Sequence, residues 1–263
     1  MSLDATAFAL TAGALTLVIA VRYLVISGLF YWLLWRRRPG RYVQPLHSRP
    51  PSSHGAGREI GWSLIASLIY ALPAAAVIEL WKQGGTALYS DTGQYGAWYL
   101  PVSVLVYLAL HDTYFYWTHR LMHVPRVYRV MHRVHHQSRP PTPFASFSFH
   151  PTEAVLGAVF LPALALFIPL HVGAALFILV LMTVCAVMNH SAHEILPPSW
   201  LRGFGGRWFI SAAHHDLHHA HVRCNYGLYF RVWDKLMGTD RLEADYHFMP
   251  PPIAADSPRP SPS

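Results

Sequence analysis

The sequence predicts an all-α integral membrane protein, with four or five transmembrane or re-entrant helices and a cytoplasmic helical cap that carries a histidine-rich dimetal site. Three observations lead to that class. Of the 263 residues, 53% are hydrophobic and only 13% are charged, against about a quarter charged in a soluble domain. The apolar residues gather into uncharged runs, several near the length of about 20 residues that a bilayer crossing requires. Finally, 18 histidines stand against two cysteines, and most of those histidines fall into four short clusters.

The first run, from about Ala5 to Trp35, is interrupted only by Arg22. Its positive charge follows the apolar core in WRRRPGR at 35–41, whereas a secretory signal peptide carries its charge ahead of the core. This predicts a retained span with a cytoplasmic C-terminal end. A second run, Ile60 to Trp81, contains Pro73 and ends in the turn-prone KQGGT; a third, Ala97 to Leu110, flows into HDTYFYWTHRLMH. From Ala154 to Met188 the chain is apolar apart from His171. Pro169 near the middle divides that stretch into two spans of roughly 17 residues with a tight reversal, or into a shallow re-entrant hairpin. Counted from Arg36 on the cytoplasmic side, five crossings bring every histidine cluster to that side, and the re-entrant alternative keeps the parity. The tail at 250–263 is Pro- and Ser-rich, a disordered composition. No internal repeat or second domain is evident, so residues 1–249 read as one domain.

Charge and cysteine content exclude other classes. The formal charge of +7 would suit nucleic acid, but the basic residues cluster beside apolar runs, as a membrane-surface anchor does, so no nucleic-acid partner is expected. Cys185 and Cys224 have no partner at a metal-binding or redox spacing, which argues against a disulfide framework.

The clusters carry the chemistry. His119 and His123 are four residues apart; His132, His135 and His136 in HRVHH lie at i, i+3 and i+4; His190 and His193 in NHSAHE lie at i and i+3; His215, His218 and His219 in HDLHH repeat the second pattern. On helices, each set would share one face. Neutral imidazole is a common donor to iron, zinc and copper, and ten donors exceed one ion, which predicts two ions with about four or five ligands each. His215 is preferred to the adjacent His214 because it completes the stripe with His218 and His219. Isolated histidines such as His47, His54, His171 and His247 read as solvated or packed side chains. The carboxylates Asp112, Glu153, Glu194, Asp216 and Asp234 stand near the clusters and are expected to accept the second ring N–H of ligating histidines, with helix caps or surface charges as the alternative. Tyr114, Phe115, Tyr116, Trp117, Phe144, Phe147 and Phe149 would line an apolar route from bilayer to metal, or simply pack helices at the interface.

Taken together, HDTYFYWTHRLMH, HRVHHQSRPPTPFASFSFHPTE and HHDLHHAHVRCNYGLYFRVWDKLMGT resemble extended blocks of the fatty acid hydroxylase/sterol desaturase superfamily over roughly residues 95–243. PTPFAS followed by FHP is most similar to the lathosterol oxidase type of sterol desaturase. The resemblance implies a non-haem site of two iron ions (Fe2+, with zinc possible on heterologous expression) that activates O2. It also implies a membrane lipid substrate and an external electron donor protein, a b-type cytochrome or a ferredoxin-like one. Carried over residue by residue, the implied ligands are His119, His123, His132, His135, His136, His190, His215, His218 and His219, with His150 at the FHP position near the site. The outcome would be hydroxylation or desaturation of a sterol, a fatty acyl chain or another lipid. No nicotinamide fingerprint or haem CxxCH is present. Two further classes share the histidines: a membrane metal transporter, which would place ligands at mid-membrane depth, and a dizinc hydrolase, which usually adds carboxylate or water positions.

Overall fold

The computed structural model describes residues 4–37, 43–47 and 53–242. The predicted tail at 250–263 lies outside these residues, and the basic anchor after Trp35 is described only as far as Arg37.

Helix α1 (Ala5–Tyr31) starts at Asp4, whose carboxylate accepts the Thr6 and Ala7 N–H groups, and continues in π-helical geometry to Arg37. A two-residue strand β1 (Gln44–Pro45) leads to α2 (Ser53–Lys82), then β2 (Leu88–Tyr89) and α3 (Tyr99–Met122). A short α4 (Pro125–Val130) follows, then 3-10 turns at His135–Gln137 and Pro143–Phe147. The apolar stretch folds as α5 (Pro151–Phe167), β3 (Leu170–His171) and α6 (Val172–Asn189), so the reversal falls at Pro169 as its position predicts. Strand β4 (His193–Glu194), α7 (Pro198–Arg202), α8 (Phe204–Trp208), α9 (Ala212–His221) and α10 (Val232–Leu236) complete the described chain.

The long helices are apolar on their outside. Along α1, Leu10, Leu17, Val18, Val25 and Leu29 are exposed while Ala12, Tyr23 and Ser27 are buried. A water-soluble helix shows the reverse polarity; here small and polar residues, with Ser63 and Ser67 on α2, let backbones approach, as in membrane bundles. Among the described residues, three helices are long and apolar enough to cross a membrane: Ala5–Arg37, Gly55–Lys82 and Val172–Asn189. The other two predicted crossings are less complete. Helix α5 has only 17 residues, and α3 spends its second half on polar and aromatic side chains.

The two ends of this bundle differ. At one end, the Tyr99 and Tyr107 hydroxyls donate to the carbonyls of Pro169 and Ile168, and β2 pairs in parallel with β3, closing the reversal against α3. At the other end, the PTPFAS block is wedged between α1, α2 and α6. The Phe144 carbonyl accepts from Tyr23 (2.8 Å) and Ser63 (3.2 Å), the buried Glu59 carboxylate accepts from Thr142, and Arg58 donates to the Gln137 carbonyl. These bonds, each about 1 kcal/mol, fix the chain on the C-terminal side of His135 and His136. Antiparallel pairing of β1 with β4 straps the segment after α1 across the same end.

Candidate metal centre

Two of the four histidine clusters ride on helices as their spacing predicts, and two do not. His119 is in the last turn of α3 and His123 is its C-cap; His215, His218 and His219 lie on α9. The HRVHH segment is a turn leading into a 3-10 helix, although the His136 N–H to His132 carbonyl bond (3.3 Å) preserves one helical repeat. The NHSAHE segment departs further. Helix α6 stops at Asn189 with His190 as its C-cap, Ala192 adopts a left-handed conformation (φ 54°), and His193 lies in β4. That reversal turns His193 away, so the expectation that it joins His190 on one helical face is corrected. Its ring packs edge-on against Trp35 (4.5 Å), and its Nδ1 bonds the Ser191 carbonyl.

The nine remaining histidines converge from α3, the 132–136 turn, α6 and α9. They divide into two sets, His119, His123, His132, His136 and His218, and His135, His190, His215 and His219, within each of which the ring nitrogens lie within 4.8 Å of one another. On α9 and at the end of α3 the division follows from helical geometry, which the 132–136 turn copies through the His136 N–H to His132 carbonyl bond. Residues i and i+4 diverge by about 40° around a helix, whereas neighbours i+3 and i+4 diverge by about 100°. His119 with His123, His132 with His136, and His215 with His219 therefore each stay in one set, while the interleaved His135 and His218 cross to the other. Each HxxHH box serves both sets.

In the first set, the Nε2 atoms close a ring: 119 to 132 at 3.1 Å, 132 to 136 at 3.1 Å, 136 to 218 at 3.2 Å, 218 to 123 at 3.1 Å and 123 to 119 at 3.3 Å. In the second they form a chain, 135 to 190 at 3.1 Å, 190 to 215 at 2.9 Å and 215 to 219 at 3.2 Å. The sets adjoin, with the His136 and His219 ring centres 4.6 Å apart.

The outward ring nitrogens explain why these contacts are not ordinary hydrogen bonds. His119 Nδ1 donates to the Tyr226 carbonyl (2.9 Å), His218 Nδ1 to the Cys224 carbonyl (2.7 Å) and His190 Nδ1 to the Ala186 carbonyl (2.7 Å). A carbonyl only accepts, so each of these rings carries its proton on Nδ1 and turns a bare Nε2 lone pair inward. Burial depresses the imidazoles, His119 and His190 to about 4, His123 to about 2 and the others well below the ordinary range, which keeps them in the neutral ligand form. Crowded inward lone pairs repel one another, and a cation removes the repulsion. Donors about 2.1 Å from one ion and at right angles lie about 3.0 Å apart, close to the observed spacing. The residues therefore fit two first-row metal ions, one per set, and an all-imidazole set suits iron, zinc, copper or nickel.

The predicted supporting residues divide. Glu153 Oε1 accepts from His132 Nδ1 at 2.7 Å, as expected of a carboxylate behind a ligand. Asp112 and Asp234 are bonded to none of the nine histidines; they hold the loop whose carbonyls are. Asp112 accepts the Leu228, Tyr229 and Phe230 N–H groups, and Asp234 those of Tyr226 and Gly227. This positions the Cys224 and Tyr226 carbonyls behind His218 and His119. Glu194 binds the Leu196 and Ala213 N–H groups near the start of α9. Asp216, between His215 and His218 on α9, pairs with His47 (2.6 Å), a contact that the reading of His47 as an isolated histidine missed. His150 caps α5 and bonds Thr152. His214, set aside on spacing, bonds Ser211 in the capping box of α9. Of the seven predicted aromatics, Phe115 packs on His119 (5.1 Å) and Phe149 on His135 (5.0 Å). Tyr114 instead stacks on Phe160, Tyr116 on Trp233, and Phe147 on Tyr23.

Comparison with known proteins points the same way. The fatty acid hydroxylase family model matches residues 104–239. A Delta(7)-sterol 5(6)-desaturase of Gibberella zeae is 28% identical over 83% of this chain and 64% of its own length. Lathosterol oxidase of Mus musculus is 30% identical over 83% of this chain and 70% of its own. Lathosterol oxidase of Homo sapiens is 32% identical over 69% of this chain and 60% of its own. The chain thus spans less than two thirds of the length of two of these three relatives. No solved structure matches.

Proposed function

The chain belongs to the fatty acid hydroxylase family, and from that membership we propose that it is a membrane-bound, non-haem di-iron oxygenase that desaturates or hydroxylates a lipid, with a sterol as the first candidate substrate. The observation that carries the reading is the pair of adjoining imidazole sets, five donors and four, with no carboxylate among them. A dizinc hydrolase usually brings carboxylate positions to its metals, and a transporter would hold its ligands at mid-bundle depth, whereas these lie at one end of α3 and α6. The sterol assignment rests on the names of the relatives.

Two iron ions held by these histidines would supply the O2-dependent oxidation of an unactivated C–H bond. The chain's own residues keep the nine imidazoles neutral, aim four of them, His132, His190, His218 and His119, through Glu153 and the Ala186, Cys224 and Tyr226 carbonyls, and pack Phe115, Phe149 and Tyr226 against the sets. With no nicotinamide or haem-attachment motif in the chain, electrons would come from a separate protein, a b-type cytochrome or a ferredoxin-like one.

We place the site on the cytoplasmic side of a multi-pass protein formed by a single domain at 1–249. Arg36, Arg37, Arg58, Arg120, Arg126 and Arg129 lie at or beyond the histidine end, whereas the opposite end has Lys82, paired with Glu79 at 2.7 Å, and no Lys or Arg in residues 83–98 and 168–171, the asymmetry expected of cytoplasmic against external loops.

The test is metal and turnover together. Protein purified from an iron-replete host should carry two irons per chain and convert sterol or acyl lipid only with O2 and a reductant. Product formed without O2 would overturn the reading.

A further inference from the structure

An apolar cavity of about 270 Å³ lies outside the histidine sets. One wall is the last two turns of α6, through Leu181, Cys185 and Met188, with Leu108 of α3 beside them. The opposite wall is Leu196, Trp200, Phe209 and Ile210, from the α7–α8 hairpin and its flanks, and residues 228–230 close the floor. No charged side chain lines it. The polar side chains in its lining are Cys185 and Tyr229, and the Tyr229 hydroxyl is already bonded to His111, so the space offers water fewer than the two to four polar partners it needs and its natural occupant is hydrocarbon.

The mouth indicates the source of that hydrocarbon. Trp200 and Phe209 line the cavity and are also exposed, as are Phe204 (74%) and Trp208. Arg202, Arg207 and Lys235 accompany them, with the Lys235 ammonium 4.9 Å from the Trp208 ring centre. Indole rings beside cations are the composition of a membrane–water interface. The inner wall, in contrast, belongs to a helix long and apolar enough to span the bilayer. Trp200 is set closely: a Cβ on Gly205 would come within 2.0 Å of its ring, so only glycine lets the hairpin close against it.

Both walls lead along the chain to histidines of the four-histidine set. Met188 is two residues before His190, Ile210 is five before His215, and Asn189 donates to the Leu228 carbonyl (3.0 Å), joining the end of α6 to the floor. His190 and His215 both belong to the four-histidine set.

We propose that this cavity receives the hydrocarbon part of the lipid substrate, which enters laterally from the bilayer between α6 and the α7–α8 hairpin and is held beside the four-histidine set. The word substrate rests on the oxygenase reading above; the binding site does not. The shared ligand chemistry is a lipid hydrocarbon skeleton, from either a sterol or an acyl chain.

The full-length, iron-loaded protein in nanodiscs would be irradiated with two diazirine probes, one on a sterol skeleton and one within the acyl chain of a phospholipid, and the labelled peptides mapped. One probe should label residues 181–188 and 196–210, competed by the matching unlabelled lipid, and the probe that does so identifies the source. Leu181→Trp, which fills the cavity, should lower labelling there about tenfold, within the 10–200-fold effect of a misfit in an apolar pocket, with iron content unchanged. Labelling confined to the outer faces of α1 and α2, or Leu181→Trp labelled like the wild type, would overturn the proposal. Should Leu181→Trp fail to fold, competition on the wild type decides: uncompeted labelling at 181–188 is annular lipid and refutes the site. The two readings fail separately. Labelling needs no turnover, so labelled protein without O2-dependent product removes the oxygenase reading alone, and product from protein unlabelled in the cavity removes this one alone.

Discussion

Replacing Glu153 by alanine tests whether the residues behind the histidines set metal affinity. Glu153 Oε1 lies 2.7 Å from His132 Nδ1, and the side chains are 6% and 2% exposed, so water cannot take the place of the lost carboxylate. An unmet buried N–H costs about 1–3 kcal/mol, and loss of a carboxylate behind a ligating histidine typically costs about 10–100-fold in metal affinity, or about 1.4–2.8 kcal/mol at 1.4 kcal/mol per tenfold. The two routes agree. Glu153→Ala should therefore weaken iron held by the five-histidine set about 10–100-fold and leave the four-histidine set nearly unchanged. Glu153→Gln keeps an acceptor oxygen and should lose less. The assay is chelator competition on detergent-solubilised protein with iron per chain measured by mass spectrometry, and circular dichroism to verify the fold. A Glu153→Ala protein that keeps two irons and resists chelator as the wild type does would refute the reasoning.

Other expectations follow from the same geometry. His135→Ala should abolish metal at the four-histidine set together with turnover, whereas His193→Ala should keep both metals; equal iron loss from the two variants would reject the separation of His193 from the ligands. Asp234→Ala frees the buried N–H groups of Tyr226 and Gly227 and should destabilise the fold by roughly 2–4 kcal/mol on the scale of hydrogen bonds to charged groups; an unchanged thermal midpoint would mean that the loop does not depend on it. Metal-free protein should lose stability as pH falls. His119 and His190 are near 4 folded against 6.5 unfolded, so the unfolded chain binds more protons between those values; stability is complete above about 6.5 and declines toward 4. A thermal midpoint that stays flat or rises from pH 7 to 5 would contradict this burial.

The sequence makes some of this architecture legible and hides the rest for physical reasons. Spacing alone separates His215 from His214, because side-chain direction on α9 is set by helical periodicity. The same periodicity misleads at His193, since a single left-handed residue, Ala192, breaks the helix between His190 and His193. Glu153 is found by proximity in sequence to HRVHH, but the Ala186, Cys224 and Tyr226 acceptors are backbone carbonyls, which any residue carries. Asp112 and Asp234 are visible as charges near the clusters, yet their partners are N–H groups of a loop that no pattern announces. The His47 to Asp216 contact spans 169 residues, beyond the reach of any local signal. The crossings at α3 and α5 are harder to read than α1, α2 and α6 because neither combines full length with continuous hydrophobicity.

The distribution of the nine histidines along the chain would also dictate when the protein can acquire the proposed metals. The five-histidine set needs residues from His119 to His218 and the four-histidine set residues from His135 to His219, so each is incomplete until α9 has been synthesised. A ribosome-bound chain that has inserted α1 through α6 owns five of its nine donors on the first side and in the 132–136 turn, and a sixth at His190, but neither full coordination shell. Loading of the proposed metals would thereby wait until α9 has been made, and because both sets are completed by the same ten-residue helix, the two ions would face a single assembly checkpoint.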